Sequence, residues 1–128
     1  MNRKQIGNEI EERMIVVYHL DPDLHGFDAS LCGRPVEIKG CTFFHNNGVD
    51  YKYKEKTTYG RFWINNHNHW LLSELNGYYI FCLYHLTNNT VNVTNHRLIK
   101  ARWLDAHIGR GKNTKIAWNR IFDEPFKR

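Results

Sequence analysis

The stretch that decides the fold runs from Phe27 to Gly40 and reads FDASLCGRPVEIKG. It contains two runs in which apolar and polar residues alternate, and such alternation is typical of half-buried strands. The tetrapeptide between them, Cys-Gly-Arg-Pro at 32–35, is typical of a tight turn. We therefore predict a β-hairpin with strands over Gly26–Leu31 and Val36–Phe43.

The hydrophobic pattern also predicts how the two strands pair. A turn centred between Gly33 and Arg34 makes one side of the hairpin wholly apolar, and this fixes the register. The pairs expected on the apolar side are Leu31 with Val36 and Ala29 with Ile38. The pairs expected on the polar side are Ser30 with Glu37 and Asp28 with Lys39. The hairpin is thus predicted to gather the side chains of Asp28, Glu37 and Lys39 on one patch.

Such a patch suits the hydrolysis of a phosphodiester bond. Two carboxylates can hold a divalent cation, typically Mg²⁺, and the carbonyl of Ile38 can supply a further ligand. The cation stabilises charge on the phosphate oxygens and lowers the pKa of a bound water. Lys39 can orient or deprotonate that water. A Glu-x-Lys tripeptide alone would mean little, because any amphipathic strand with a solvated face can contain one.

The spacing of these residues resembles the motif of the PD-(D/E)xK nuclease superfamily, which includes restriction endonucleases and archaeal Holliday-junction resolvases. The motif here is Asp28, eight intervening residues and Glu37-Ile38-Lys39. The resemblance covers most of the chain and includes Gly7 and Glu11 upstream, then Gly60–Ile64, a helix and the aromatic strand Tyr78–Phe81. It implies a restriction-endonuclease-like α/β fold, with a mixed central sheet flanked by helices, in a single domain over residues 1–128.

The resemblance also bears on the remaining acidic ligands. In this family an N-terminal helical glutamate often completes the metal site, and Glu11 is the candidate here, with Glu9 as the alternative. The nominal proline before the first acid is missing at Asp28, which follows Phe27. A literal Pro-Asp occurs at 22–23, but residue 23 has the wrong parity for the polar side and lies beyond the strand.

The rest of the chain contains alternating helical and strand-like patterns. The predicted helices cover about 3–18, 66–75 and 95–107, the predicted further strands cover 61–64, 77–86 and 115–121, and 45–58 is predicted to be a polar loop. In the first helix Ile6, Ile10, Met14 and Val17 are expected to face the core. The strand at 77–86 is apolar on both faces and is therefore expected to be central.

The formal net charge of +5 favours a polyanionic partner. The residues expected to contact DNA are Lys52, Lys54, Lys56, Arg61, Arg110 and Lys112. The alternation of aromatic and basic residues at 51–56 fits stacking on unpaired bases, and it equally fits an exposed edge strand protected by lysines. The odd number of cysteines, three, suits a reducing compartment. With neither a signal peptide nor a membrane-length apolar run, we expect a soluble cytoplasmic protein.

Two other sites are weaker hypotheses. His67-Asn68-His69 spells the name of another nuclease class, but that class uses separated residues, so a helix start capped by Asn65 or Asn66 is the preferred interpretation. His69 could approach the active centre from that helix. A zinc site from Cys32, Cys41 and His45 lacks a paired Cys-x-x-Cys element.

The sequence therefore predicts a Mg²⁺-dependent DNA endonuclease, in which Mn²⁺ can replace Mg²⁺. Its substrate is expected to be branched DNA, as for a Holliday-junction resolvase, or duplex DNA, as for a restriction enzyme. Since one centre cuts one strand, a homodimer is expected. The alternatives are a non-catalytic nucleic-acid-binding module of the same fold and an RNA nuclease.

Overall fold

The helices and strands are taken from a computed structural model, which describes residues 1–23, 25–46 and 57–122. In chain order they are α1 (Arg3–Val17), β1 (Ala29–Leu31), β2 (Arg34–Thr42), β3 (Phe44–Asn46), β4 (Thr57–Tyr59), β5 (Arg61–Asn65), α2 (Asn66–Glu74), β6 (Tyr78–Thr87), β7 (Thr90–Lys100), a 3₁₀ helix (Ala101–His107), β8 (Asn113–Ala117) and α3 (Trp118–Phe122). The expected DNA contacts Lys52, Lys54 and Lys56 lie outside the described residues.

A mixed four-stranded sheet forms the centre of the molecule, with strand order β1-β2-β6-β7. β2 runs parallel to β6, and the other two pairings are antiparallel. β6 is buried on both faces, as its apolar sequence predicts. Helix α1 covers one face through Ile10 and Met14. The opposite face carries α2, the 3₁₀ helix, α3 and the two-stranded β5–β8 sheet. The predicted fold class, a restriction-endonuclease-like mixed sheet flanked by helices, is confirmed.

The β1–β2 hairpin is present, but its register differs from the predicted one. Ala29 pairs with Val36 and Leu31 pairs with Arg34, a shift of two residues on the second strand. The turn is formed by Cys32 and Gly33, with φ of 52° and 79°, and positive φ at both central positions is the backbone that a two-residue hairpin turn requires. Because a shift of two residues keeps every side chain on its face, the predicted apolar and polar sides are retained.

The first strand is also shorter than predicted. Instead of continuing the strand, the backbone before Asp28 bends around Asp23, whose carboxylate accepts hydrogen bonds from the amides of His25 and Phe27 at 2.9 and 2.6 Å. The Pro-Asp pair at 22–23 therefore has a local structural role. Ser30, expected on the polar side of the hairpin opposite Glu37, is buried and donates to the carbonyl oxygen of Pro22 at 3.0 Å.

Three further predictions need correction. Residues 95–100 belong to β7 and not to a helix, because they form hydrogen bonds with the edge of β6 as its antiparallel partner. The 3₁₀ helix starts only at Ala101. The last strand covers Asn113–Ala117, and the residues after it form α3. The expected loop at 45–58 begins and ends in paired strands, since β3 pairs with β4.

The two predicted helices α1 and α2 are confirmed with small changes at their ends. Ile10 and Met14 of α1 are buried as expected, whereas Val17 is exposed at the end of the helix. Asn65 caps α2 by accepting a hydrogen bond from the amide of Asn68 at 3.0 Å. Within the described residues, none of the helices has the length and apolar character needed to cross a bilayer.

Candidate active site

Asp28 lies at the point where the hairpin opens. β1 pairs with β2 only as far as Val36, and Asp28 precedes β1 directly. Its Oδ2 atom accepts a hydrogen bond from the amide of Ile38 at 2.8 Å, so the side chain takes the place of the next strand residue on the edge of β2. Because the N–H and C=O of a strand residue point to the same edge, the Ile38 carbonyl is directed to the side where Asp28 lies.

Glu37 and Lys39 share one face of β2. The register places Glu37 beside Tyr79 and Lys39 beside Phe81, so both project toward the face that carries the β5–β8 sheet. The Lys39 Nζ lies 3.8 Å from Oε2 of Glu37, and both side chains are mostly buried. The polar patch predicted from parity is therefore present on the folded hairpin.

Glu11 reaches the same place from α1. Burial, a hydrogen bond to Asp28 and the nearby charges of Asp28, Glu37 and Glu12 raise the pKa of Glu11 to about 8. Burial and the charge and hydrogen bond of Asp28 raise the pKa of Glu37 to about 7, although Lys39 acts in the opposite direction. Asp28 thus accepts a hydrogen bond from either glutamic acid when that group is protonated. We call Glu11, Asp28 and Glu37 the acid cluster.

Of the two glutamates considered on α1, Glu11 is the one that interacts with Asp28. Glu9 lies two residues earlier and is therefore turned about 200° around the helix axis. The anchor residues Ile10 and Met14, both buried against the sheet, flank Glu11 and hold this side of the helix toward the hairpin.

The acid cluster fits a divalent cation by its chemistry. Burial raises the pKa values of Glu11 and Glu37, and the charge of Asp28 raises them further, so a bound cation would favour their ionised forms. Carboxylate and carbonyl oxygens are the hard ligands that Mg²⁺ prefers. Within residues 1–23, 25–46 and 57–122, no group of three or more His, Cys, Asp or Glu side chains is placed so that it could hold a metal ion. The cluster therefore fits a divalent cation by the type of its ligands and not by a ligand set that is already in place.

His69 is not part of the acid cluster; it contacts Tyr79, which lies beside Glu37 in the sheet. The imidazole is fully buried, with Nδ1 2.9 Å from the Tyr79 hydroxyl and Nε2 2.7 Å from Oδ1 of Asp105. Ser73 donates to the same Asp105 carboxylate at 2.9 Å. Burial and the charges of Glu37 and Asp105 raise the pKa of Tyr79, which places this tyrosine between the acid cluster and the histidine. The sequence did not single out Tyr79 or Asp105, because nothing in local spacing links residues so far apart.

Replacing this histidine with alanine (His69→Ala) is expected to destabilise the protein by about 3 kcal/mol, because it leaves a cavity and a buried tyrosine hydroxyl without its partner. For a chain of this size that lowers the melting temperature by roughly 10 °C. Thermal unfolding followed by circular dichroism measures the change. His67→Ala is the matched control, since His67 is exposed on the same helix. A melting temperature for His69→Ala within about 2 °C of wild type would contradict the structural role.

The other predicted site residues lie apart from the acid cluster. Arg61 begins β5, while Arg110 and Lys112 are exposed in the connection before β8. That connection is fixed to the start of α2, because the Asn66 side chain donates to the carbonyl oxygens of Gly109 and Gly111 at 3.1 Å. The residues considered for zinc also separate, with Cys32 exposed in the hairpin turn and Cys41 buried in the core.

Comparison with known proteins agrees with this geometry. A family model described as a PD-(D/E)XK nuclease superfamily domain matches residues 1–123. The match includes every helix and strand described above, from α1 to α3. Neither the curated proteins nor the solved structures yielded a match.

Proposed function

Because the chain belongs to the PD-(D/E)XK nuclease superfamily, we propose that it is an endonuclease that hydrolyses DNA with the help of Mg²⁺. The family is one of nucleases, which cleave phosphodiester bonds in nucleic acids. The observation that carries the proposal for this chain is the convergence of Glu11, Asp28, Glu37 and Lys39 at the open end of the hairpin.

In the proposed mechanism Asp28 and Glu37 hold the cation, helped by Glu11 and the Ile38 carbonyl. A bound Mg²⁺ supplies charge stabilisation at the phosphate and a more acidic water. The hydrogen bond from the Ile38 amide keeps the Asp28 carboxylate in one orientation, so its free oxygen is fixed in direction. Mn²⁺ has similar ligand preferences and is expected to replace Mg²⁺.

Lys39 is proposed to act on the attacking water and on the charged phosphorus centre. Its ammonium group lies within ion-pair distance of Glu37, which holds it beside the ligands. A charge placed in advance in a partly buried site stabilises developing negative charge without having to reorganise during the reaction. The second role proposed for Lys39 is to help remove a proton from the attacking water.

The substrate is proposed to be DNA, either branched or duplex. The net charge of +5 favours a polyanion, and Arg61, Arg110 and Lys112 are exposed to meet phosphates. One acid cluster can cut one strand at a time, so cutting both strands of a duplex is proposed to require a homodimer.

The proposal is tested by incubating the purified protein with supercoiled plasmid, a four-way DNA junction and RNA of matched length. With Mg²⁺ we expect nicking or cutting of DNA, and with a chelator we expect none. Binding without any metal-dependent cutting would contradict the proposal and favour a non-catalytic module. Cutting of RNA alone would replace DNA by RNA as the substrate.

A further inference from the structure

A cleft lies between α1, the end of β2 and the start of β5. It has a volume of about 370 Å³, which lies within the range of small-molecule sites. Among the residues that line it are Arg3, Gly40, Gly60, Arg61, Trp63 and Tyr84. Gly40 follows Lys39 directly, and Ile10, another lining residue, precedes Glu11. We call this space the Trp63 cleft; sequence neighbours of Lys39 and Glu11 line it, and the proposed catalytic residues themselves do not.

The charge of the Trp63 cleft is positive. Arg3 and Arg61 line it from α1 and β5, and no acidic side chain lines it among the described residues. Within that part of the chain, neither guanidinium is held by an ion pair. Burial raises the pKa of Tyr84, whereas the positive charge of Arg3 lowers it. The Arg3 guanidinium therefore lies close to the Tyr84 side chain that lines the cleft. Two arginines without acidic partners beside a phosphodiesterase centre suit substrate phosphates.

Trp63 provides an aromatic surface in the same cleft. Its side chain is 57 % exposed, although the alternate residues of β5, Phe62 and Ile64, are buried. Lys115, its cross-strand partner on β8, places its Nζ 4.1 Å from the centre of the indole ring. The ring is therefore held by the β5–β8 sheet and accompanied by a third positive charge, yet it remains open to solvent.

An exposed indole among positive charges suits a nucleotide whose base is not stacked in a helix. Bases in a continuous duplex are already stacked on their neighbours, so their faces are closed to a protein ring. An unpaired base offers its face, and stacking on an aromatic residue contributes about 1–3 kcal/mol per base. The combination of arginines and tryptophan thus selects unpaired nucleotides over intact duplex.

We propose that the Trp63 cleft binds an unpaired nucleotide of the substrate strand, with its base on Trp63 and its phosphates on Arg3 and Arg61. This inference rests on the proposed nuclease function and makes it more specific. The preferred substrate is DNA with an unpaired segment next to the cut, at a branch point, a flap or a frayed end. Blunt, fully paired duplex contacts exposed basic residues such as Arg110 and Lys112 without placing a nucleotide in the Trp63 cleft.

The experiment compares binding of two labelled DNAs, a blunt duplex and the same duplex with a single-stranded extension, in the presence of a chelator so that no cutting occurs. Trp63→Ala is expected to weaken binding of the extended DNA by about 10-fold or more and to leave blunt duplex within about twofold of wild type. Trp63→Phe keeps an aromatic face and should restore most of the affinity. Trp70→Ala is the matched control, because Trp70 is 48 % exposed on α2 and does not line the cleft.

The outcomes separate this inference from the proposed function. If Trp63→Ala binds both DNAs as wild type does, or loses affinity equally for both, the cleft inference is overturned even where the enzyme cuts DNA. If the variant loses affinity for extended DNA alone, the inference holds, and a failure of wild type to cut would then count only against the proposed nuclease activity. Arg61→Ala is expected to weaken binding of the extended DNA more than binding of the blunt duplex, and to lower the salt dependence of binding of the extended DNA by about one phosphate contact.

Discussion

Replacing Lys39 with alanine is expected to slow DNA cleavage by about 10²- to 10³-fold while the protein still folds and binds DNA. The variant removes the ammonium group that lies 3.8 Å from Glu37 and keeps the acidic residues themselves. Because the pair is mostly buried, removing Lys39 leaves Glu37 without its counter-charge, and we expect a loss on the order of 1–2 kcal/mol in folding stability, which lowers the melting temperature by several degrees and leaves the protein folded. Single-turnover cleavage with saturating Mg²⁺ measures the chemical step.

Lys100→Ala is the control for this experiment. Lys100 is exposed at the end of β7, where its Nζ lies 5.6 Å from the centre of the Trp103 ring. It carries the same charge and lies outside the acid cluster, so its loss should change cleavage by no more than about the twofold effect of one weak surface charge. Cleavage by Lys39→Ala at the rate of Lys100→Ala would remove Lys39 from the mechanism.

Replacing Glu37 with glutamine is expected to abolish cleavage and, at high pH, to stabilise the metal-free protein. In the folded state the pKa of Glu37 is about 7, because burial and Asp28 raise it above the ordinary value of 4.5. Folding stability from such a group is fully present below pH 4.5 and is lost as the pH rises through about 7, since the folded protein holds the proton longer than the unfolded chain. Glutamine carries no charge and avoids this loss.

The expected gain for Glu37→Gln at pH 8.5 is on the order of 1–2 kcal/mol after allowance for solvent screening, or roughly 5 °C in melting temperature. At pH 5 the two proteins should unfold at similar temperatures. The charge of Glu37 also contributes to the raised pKa of Glu11, so the repulsion on the Glu11 carboxylate falls in Glu37→Gln. Glu74→Gln, on the exposed side of α2, is the control and should show no pH-dependent difference.

Mg²⁺ is expected to stabilise wild type more than it stabilises Glu37→Gln. The cation binds ionised carboxylates, so it should raise the melting temperature of wild type more at pH 8.5 than at pH 5. In Glu37→Gln this rise should be much smaller, because a proposed ligand is gone. Equal Mg²⁺ stabilisation of wild type and Glu37→Gln at pH 8.5 would show that the cation does not bind at the acid cluster.

The sequence predicted well whatever depends on local periodicity. Helix α1, the capped start of α2 and the doubly buried strand β6 follow from spacings that span only a few residues. The segment 95–107 was misassigned because its apolar residues also fit helical spacing. Only the open edge of β6 explains why residues 95–100 continue a strand. Such pairing energy comes from residues distant in the chain and leaves no local signal.

By itself, the sequence determined that Glu37 and Lys39 share a face of β2, because strand parity is fixed by covalent geometry and survives a two-residue change of register. The tertiary structure decided the rest. It set the register through the backbone of Cys32 and Gly33, brought Glu11 to Asp28 across the sheet edge, and raised the pKa values of the glutamates by burying them together. These effects depend on distances between separate elements, which only packing of the whole chain fixes.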